Sequence, residues 1–431
     1  MVGGARAVER CDLLGVAPYS DAPDLLFRAY LTPAYAETQR AIAGWMVEAG
    51  MTTRIDTAAN VIGRYEGTDD GPALLIGSHI DSVRDAGRYD GPLGVMLGIE
   101  CVAALSAAGR RMAFPIEVIA FGDEEGSRFP ASMLSSRAVA GTLEPDALDV
   151  VDGEGISVLE ALHAHSVRIG RHPGTGEGAA GSFPTSPDAD GKRRFLHARH
   201  APALAYLEAH IEQGPVLEAE QLPVGIVTGI AAQLRYGVTV TGAAGHAGTS
   251  PMGLRRDALT AAAEMVLAVE RVARDAASDL VATVGKLEVA PGAANVVPGA
   301  VTLTVDIRSG DQARRDAAGH QVIDAINAIA EARGVDVAVE RINDLAASPC
   351  DPALMERMAQ AVHAEGIVPR RLVSGAGHDA MVIAALCPTA MLFIRCKGGI
   401  SHNPAEHVDP ADAEIALRVL LGVIDRLGDL S

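Results

Sequence analysis

Two short apolar segments and the long apolar stretch between them constrain the fold of this chain more than any other feature. ALLIGSH (73–79) and IEVIAFGDEE (116–125) have the length and composition of buried strands, and LGVMLGIECVAALSAAGR (93–110) has those of a buried helix. Strand, helix and strand in this order predict an α/β fold with a central mixed sheet covered by helices. Further strands and helices of the same domain are predicted at 61–67, 389–395, 33–50, 352–365 and 410–428.

The middle of the chain changes to the order β-α-β-β-α-β, which predicts a compact, two-layer, ferredoxin-like unit. We therefore expect one domain formed by residues 1–220 and 343–431, with a second domain, residues 221–342, inserted into it. The segment 170–191 is rich in Gly, Pro, Ser and Asp and is predicted to be a loop without regular secondary structure.

Charge and cysteine usage restrict the class of protein. The chain carries 36 basic and 55 acidic side chains, a formal charge of −19, which disfavours nucleic acids and anionic membranes as partners. Its five cysteines are scattered and include no C-x-x-C motif, as is typical of reduced thiols in the cytoplasm. Neither a G-x-x-x-x-G-K-[ST] nor a G-x-G-x-x-G motif follows a strand, which disfavours a nucleotide-binding protein.

The sequence GSHIDSVRDAGRYDG (77–91) places polar side chains at the end of the first apolar strand. Open α/β sheets bind ligands at the C-terminal ends of their strands, which makes His79 and Asp90 candidate metal ligands. Asp81 is a candidate partner for the second ring nitrogen of His79, where it would fix the tautomer. The alternative interpretation is a surface loop whose charges are incidental.

The sequence FGDEEGSRF (121–129) forms a second polar cluster at a strand end. Asp123, Glu124 and Glu125 are adjacent carboxylates beside an apolar core, and such like charges are costly unless cations neutralise them. One glutamate is then a candidate metal ligand and its neighbour a candidate general base. A solvated acidic turn is the alternative interpretation.

Two single histidines complete the candidate set. His210 lies in ALAYLEAHIEQG (203–214), which we interpret as an amphipathic helix, and His402 lies in CKGGISHNPAEH (396–407), after a predicted strand. Each histidine alone is typical of a structural role. In combination, five side chains form the mixture expected for two divalent ions that share a bridging carboxylate, namely His79, Asp90, Glu125, His210 and His402.

Motifs along nearly the whole chain, from about residue 33 to 410, resemble those of the M20-type amidohydrolases. They are GSHIDSV and YDGPLGV, EEGSRF, HIEQGPVLE, GHAGTSPM, NVVPG, SGAGHDA and GGISHNPAE. The chain is most similar to the hydantoinase/carbamoylase branch, which includes allantoate amidohydrolase, N-carbamoyl-L-amino-acid hydrolase and β-ureidopropionase. It departs from the family at Ala86, where a second glycine is usual.

The resemblance implies a binuclear metal centre. Glu124 would be the general base that accepts a proton from water and delivers it to the leaving nitrogen. Mn²⁺ is the favoured ion, and Zn²⁺, Co²⁺ and Ni²⁺ also suit such ligands. One ion would be held by His79 and His210 and the other by Glu125 and His402, with Asp90 as the bridge.

The resemblance also implies a substrate site that draws on the inserted domain. That domain would serve as a lid and as the interface of a homodimer, and His246 would stabilise the oxyanion in the active site of the neighbouring subunit. Asn295 and Arg308 would hold the carboxylate of the substrate, and Gln213 would lie beside its ureido group.

A hydrolase of a ureido C–N bond that releases ammonia and carbon dioxide is the activity that this resemblance implies. Allantoate is the expected substrate, because TPAYAETQRAIAGWMVEAGM (32–51) is most similar to that branch. The alternatives within the enzyme class are an N-carbamoyl-L-amino-acid hydrolase, a β-ureidopropionase, and an aminoacylase or dipeptidase. A non-catalytic small-molecule or metal-binding protein is disfavoured, because a binding site has no need of a free base such as Glu124.

Overall fold

The computed structural model describes residues 3–170, 189–276 and 279–428. Most of the predicted loop 170–191 lies outside the described residues. Contacts divide the chain into two units, which we call unit 1 (Met1–Thr228, Cys350–Leu372 and His378–Ser431) and unit 2 (Gly229–Pro349 and Val373–Gly377). The domain boundaries 221 and 342, expected from the sequence, stay predictions.

Helices account for much of the described chain, and none of them combines the length and the hydropathy that a bilayer span requires. They are α1 (Gly4–Leu14), α2 (Pro33–Glu48), α3 (Pro92–Ala107), α4 (Leu134–Ala140), α5 (Val158–Gly170), α6 (Ala189–Leu196), α7 (Val216–Ala219), α8 (Ala258–Arg274), α9 (Gln312–Arg333), α10 (Pro352–Ala364), α11 (Asp379–Ile383) and α12 (Pro410–Gly428).

The strands divide between the two units. They are β1 (Thr52–Ile55), β2 (Val61–Tyr65), β3 (Leu74–His79), β4 (Ile116–Phe121), β5 (Ala205–Ile211), β6 (Val224–Ile230), β7 (Ala232–Thr241), β8 (Gly245–His246), β9 (Val281–Thr283), β10 (Leu287–Ala290), β11 (Val296–Val297), β12 (Ala300–Ser309), β13 (Asp336–Leu345), β14 (Ser348–Pro349), β15 (Arg371–Ser374) and β16 (Thr389–Ile394).

Unit 1 is built on a mixed sheet in which neighbouring strands follow the order β1-β2-β4-β3-β5-β16-β6. Its centre is parallel, because β4, β3, β5 and β16 pair in parallel, whereas β1, β2 and β6 pair antiparallel to their neighbours. Every residue of β3, β4 and β16 is buried, and α3 packs against β3 with most of its own residues buried. The predicted α/β fold with a central mixed sheet is confirmed.

The helix predicted for ALAYLEAHIEQG (203–214) is wrong, because Ala205–Ile211 form the central strand β5. This strand lies between β3 and β16 and is buried at every position. In a parallel sheet covered on both faces, a strand loses the alternation of polar and apolar residues that identifies it in a sequence. Glu208 and His210 gave the segment a false amphipathic pattern, although both side chains are buried.

Unit 2 contains a separate antiparallel sheet in the order β10-β12-β7-β13, with β9 beside β12. Helices α8 and α9 contact each other and the strands β7 and β12, and apolar side chains such as Met265 and Val322 fill the space between these layers. The segment LVATVGKLEV (280–289) is divided into β9 and β10 by a break that contains Gly285, a poor strand former.

Candidate metal centre

The residues predicted to bind metal ions gather at one edge of the unit 1 sheet. His79 is the last residue of β3, and His210 lies one residue before the end of β5. Glu125 follows β4, His402 lies in the loop after β16, and Asp90 lies in the loop between β3 and α3. Parallel strands bring their C-terminal ends to the same edge, which explains how residues more than 300 positions apart in sequence meet there.

Asp90 occupies the centre of this cluster. Its Oδ1 lies 3.1 Å from Nε2 of His210 and 3.8 Å from Nε2 of His79, and its Oδ2 lies 3.4 Å from Nε2 of His402. The two oxygens of one carboxylate therefore face different imidazoles. This arrangement is the one expected of a carboxylate that bridges two cations.

The two adjacent glutamates point to different histidines. Oε2 of Glu125 lies 3.4 Å from Nε2 of His402, whereas Oε2 of Glu124 lies 3.9 Å from Nε2 of His79. Candidate ligand atoms of Asp90, Glu125 and His402 all lie within 4.8 Å of one another. Glu125 also belongs to a second such group, with Glu124 and His79, so it lies between the two sides of the cluster, whereas Glu124 lies near His79.

The hydrogen bonding and the spacing of the candidate ligand atoms are consistent with bound metal ions. Oδ1 of Asp90 is buried and accepts no hydrogen bond of good geometry from the described residues, although His210 lies nearby. Four ligands at about 2.1 Å in a tetrahedral arrangement are about 3.4 Å apart, close to the separations measured around Asp90. The side chain of His402 is 49% exposed, so the cluster is open to solvent on that side. The cluster could therefore hold divalent metal ions.

Burial and mutual repulsion perturb the charged groups of the cluster. Burial, reinforced by the charge of Glu125, raises the pKa of Glu124 well above its ordinary value, and burial with the charge of Asp90 does the same for Glu125. Burial lowers the pKa of His79 to about 4, which leaves its ring neutral and able to bind a metal ion. Burial alone would lower the pKa of His210, but the contact with Asp90 raises it to about 9. A cation beside His210 would replace that proton.

Asp81 lies behind His79 but contacts it differently from the prediction. The nearer acceptor for Nδ1 of His79 is the backbone oxygen of Asp81, at 3.1 Å, whereas the carboxylate lies 3.6 Å away. That carboxylate accepts the backbone N–H groups of Glu124 and Glu125 at 3.2 and 3.3 Å. Asp81 therefore connects the histidine of β3 to the two glutamates that follow β4.

Gln213 and Ser401 both donate hydrogen bonds to Asp90. The Gln213 amide lies 2.9 Å and the Ser401 hydroxyl 2.6 Å from Oδ2 of Asp90, and the amide also donates to Ser401 at 3.1 Å. Gln213 and His402 adopt left-handed backbone conformations, with φ of 56° and 55°. Non-glycine residues in this region carry a conformational cost, and such strain concentrates at functional sites.

The remaining predicted residues lie in unit 2. His246 pairs with Val296 across the short ladder of β8 and β11, and the N–H of Ala247 donates to the backbone oxygen of Asn295, so His246 and Asn295 are neighbours. Both are largely exposed. Arg308 lies on β12, where its guanidinium donates twice to the Asp306 carboxylate and once to the backbone oxygen of Gly375. Their roles towards a substrate stay predictions.

The sequence interpretation missed several polar residues around the cluster. The His378 ring lies 4.4 Å from the His210 ring in an edge-on contact, and ligand atoms of Glu208, His210 and His378 lie within 4.8 Å of one another. Ser401 and Glu406 contact Asp90 or its backbone. The motifs SGAGHDA and GGISHNPAE contained three of these residues, His378, Ser401 and Glu406. Glu208 gave no sequence signal, because its segment was interpreted as a helix.

Known proteins resemble this chain over almost its whole length. Residues 75–426 match the profile of Peptidase family M20/M25/M40. A probable allantoate deiminase of Oryza sativa subsp. japonica is 42% identical over 94% of this chain and 85% of its own, and an N-carbamoyl-L-amino acid amidohydrolase of Geobacillus stearothermophilus is 40% identical over 91% of both chains. The crystal structure of a hydantoinase/carbamoylase family amidase from Burkholderia multivorans superposes with a TM-score of 0.87 at 36% identity, covering 98% of this chain and 97% of the other.

Proposed function

The chain belongs to peptidase family M20/M25/M40, and on that premise we propose that it is a metal-dependent amidohydrolase that cleaves the ureido group of allantoate. One observation carries the proposal, the convergence of three imidazoles on the two oxygens of the Asp90 carboxylate. Glu125 joins the His402 side of that carboxylate, and Glu124, which lies near His79, is the carboxylate proposed as the general base. This composition suits two divalent ions with one bridging carboxylate and a separate general base.

The reaction adds one water to a ureido group. In balanced form, R–NH–CO–NH₂ and H₂O give R–NH₂, CO₂ and NH₃, whichever C–N bond breaks first. Divalent ions, when bound, polarise the ureido oxygen and lower the pKa of the attacking water. Glu124 accepts the proton of that water and returns it to the leaving nitrogen, the role that its motif implies, and its Oε2 lies 3.9 Å from Nε2 of His79, inside the cluster.

Unit 2 supplies the groups proposed to recognise substrate. His246 is exposed and can donate a hydrogen bond to a developing oxyanion. Asp306 occupies Nε and Nη2 of the Arg308 guanidinium with hydrogen bonds at 2.7 and 3.2 Å, which orients the group so that its remaining N–H donors are proposed to bind a substrate carboxylate. Asn295 adds an amide group for the carboxylate, and Gln213, which belongs to unit 1, adds one for the ureido group. Mn²⁺ is the proposed ion, and a homodimer formed through unit 2 is the proposed assembly.

Allantoate is favoured over a single-ureido substrate by the relative at 42% identity, whereas the amidohydrolase at 40% identity supports an N-carbamoyl-L-amino acid as the second candidate. The test is a panel of substrates given to protein reconstituted with Mn²⁺, with ammonia as the readout for the ureido substrates and the released amino acid as the readout for the others. The panel contains allantoate, N-carbamoyl-L-amino acids, an N-acetyl amino acid and a dipeptide. Allantoate is expected to give the highest kcat/KM. A higher value for an N-carbamoyl-L-amino acid would select the second candidate, and activity on the dipeptide alone would overturn both.

The proposed location is the cytoplasm. All five cysteines are free thiols and buried, as expected for a protein that folds in a reducing compartment. Light scattering of the purified protein with size-exclusion chromatography tests the proposed dimer, which a monomer at micromolar concentration would contradict.

A further inference from the structure

Glu406 connects two segments of unit 1 that are distant in sequence. Its Oε1 accepts the backbone N–H groups of Tyr89 at 2.7 Å and of Asp90 at 3.1 Å, across more than 300 residues. The side chain is buried, and its approach depends on Gly87, since a Cβ at that position would lie 2.2 Å from the Glu406 carboxylate carbon. This contact therefore fixes the backbone at the residue whose side chain forms the centre of the candidate metal centre.

The loop that carries Asp90 is attached earlier in its course, where the N–H groups of Ser82 and Ala86 donate to backbone oxygens of Arg28 and Leu26, whereas Tyr89 and Asp90 donate to Glu406. Its buried N–H groups need acceptors, because an unsatisfied buried donor costs about as much as a lost hydrogen bond. Glu406 provides one acceptor for two of them. The Tyr89 side chain adds a bond to Asp12 at 2.9 Å, which holds the outer side of the loop but not Asp90 itself.

Glu406 also belongs to the turn that carries His402. Its own N–H donates to the backbone oxygen of Asn403 at 3.0 Å, which closes the turn directly after His402. Nε2 of His402 lies 3.4 Å from Oδ2 of Asp90. One residue therefore connects both of the segments that meet at this contact, through its carboxylate to the Asp90 loop and through its backbone to the His402 turn.

We propose that Glu406 is a positioning residue that sets the separation of Asp90 and His402, and so determines how tightly the centre binds its cation on the His402 side. The inference rests on the proposed function, since it takes Asp90 and His402 as ligands of one cation. Glu406 contacts the backbone of Asp90 and the backbone of Asn403, next to His402, and needs no direct contact with metal or substrate. Loss of a residue that orients metal ligands typically weakens metal binding by about 10–100-fold.

Two conservative variants separate positioning from a contribution of charge. Glu406→Gln keeps the length of the side chain and an oxygen acceptor but has no charge. Glu406→Asp keeps the charge but withdraws the acceptor by about 1.5 Å, one C–C bond, which breaks both hydrogen bonds to the loop. A positioning role predicts that Gln preserves metal binding better than Asp, and a charge role predicts the reverse order.

The experiment titrates Mn²⁺ calorimetrically into chelator-stripped, full-length protein and counts bound ions by mass spectrometry. Glu406→Ala and Glu406→Asp are expected to raise the dissociation constant of one Mn²⁺ by about 10–100-fold, with turnover recovered by excess Mn²⁺, and Glu406→Gln is expected to bind at least tenfold more tightly than either. Glu220→Ala is the matched control, because Glu220 is a surface residue paired with Arg370. Melting temperatures verify folding. If the alanine variant fails to fold, the relative Mn²⁺ affinities of Glu406→Gln and Glu406→Asp still distinguish a positioning role from a charge role.

Two results would overturn the inference separately from the function. Wild-type affinity in the Ala and Asp variants would refute the positioning role while leaving the metal centre intact, and tighter binding by Asp than by Gln would assign the effect to charge. A wild-type protein that binds no Mn²⁺ at all would instead refute the proposed function, and the inference with it.

Discussion

Glu124→Gln tests the division of roles between the two adjacent glutamates. If Glu124 is the general base, its amide analogue keeps the shape of the side chain and the metal ions but cannot accept a proton. If Glu124 is instead a metal ligand, as its position 3.9 Å from His79 also allows, the same change removes a cation. Turnover and metal content therefore give different answers for the two roles.

The expected loss of turnover is large because the neighbouring carboxylates already have partners. Asp81 accepts two backbone N–H groups, Asp90 accepts hydrogen bonds from two side chains, and Glu125 lies 3.4 Å from His402. General acid–base catalysis contributes about 10²–10⁴-fold to a rate, and with no substitute base we expect a loss of about 10³–10⁴-fold in kcat. That loss corresponds to about 4–5.5 kcal/mol of activation free energy.

The assay measures kcat from ammonia release on Mn²⁺-loaded protein, together with ion content and melting temperature. Glu124→Gln is expected to retain its ions, and without metal to melt no lower than wild type, since burial and the charge of Glu125 make ionisation of Glu124 unfavourable in the fold. Glu125→Gln is the matched control and is expected to lose one cation. Turnover within tenfold of wild type in Glu124→Gln, or loss of a cation from that variant alone, would refute the assignment.

Three further predictions follow from other parts of unit 1. Chelation is expected to abolish turnover and to lower the melting temperature, since an ion present at one hundred times its dissociation constant adds about 2.7 kcal/mol per site to the free energy of unfolding. An unchanged melting temperature in calorimetry would contradict this. Burial alone would lower the pKa of His200, but its hydrogen bond to Glu117 raises that pKa. Burial alone would raise the pKa of Glu117, but its contacts lower that pKa to about 2. The pair therefore stabilises the fold fully between pH 4.5 and pH 6.5, the pKa values of the unfolded side chains, and this stabilisation is lost as pH rises through the raised pKa of His200. His200→Asn should lower the urea midpoint of unfolding more at pH 6 than at pH 9, and an equal loss at both pH values would refute the pairing. Gly91→Ala should cost a metal ion, because φ is 84° and the new Cβ would lie 2.5 Å from the His79 ring; Gly109→Ala, with φ of 65° and open space, is the control that should retain it.

The strands that carry the candidate metal ligands could be predicted from the sequence where their hydrophobic pattern fitted a strand and no other element. Segments such as ALLIGSH (73–79) are short, apolar and followed by polar residues, so β3 and its position beside α3 could be derived. The same rule failed at β5, because Glu208 and His210 are buried polar residues in a central strand. His210 was assigned as a metal candidate from its motif and from the combination of residues, not from a correct local structure.

What the sequence could not provide is the long-range contact that gives a polar residue its role. Glu406 appears in the printed sequence as an ordinary acidic residue four positions after His402, and only the fold brings its carboxylate to the backbone of Asp90. Ser401 is similar, since a serine before a histidine has no special meaning until its hydroxyl lies 2.6 Å from the shared carboxylate. A motif identifies side chains that perform chemistry, whereas their separation depends on backbone contacts made by residues elsewhere. For that reason we expect substitutions at the contacts around Asp90 to change metal affinity even where the candidate ligands themselves are kept.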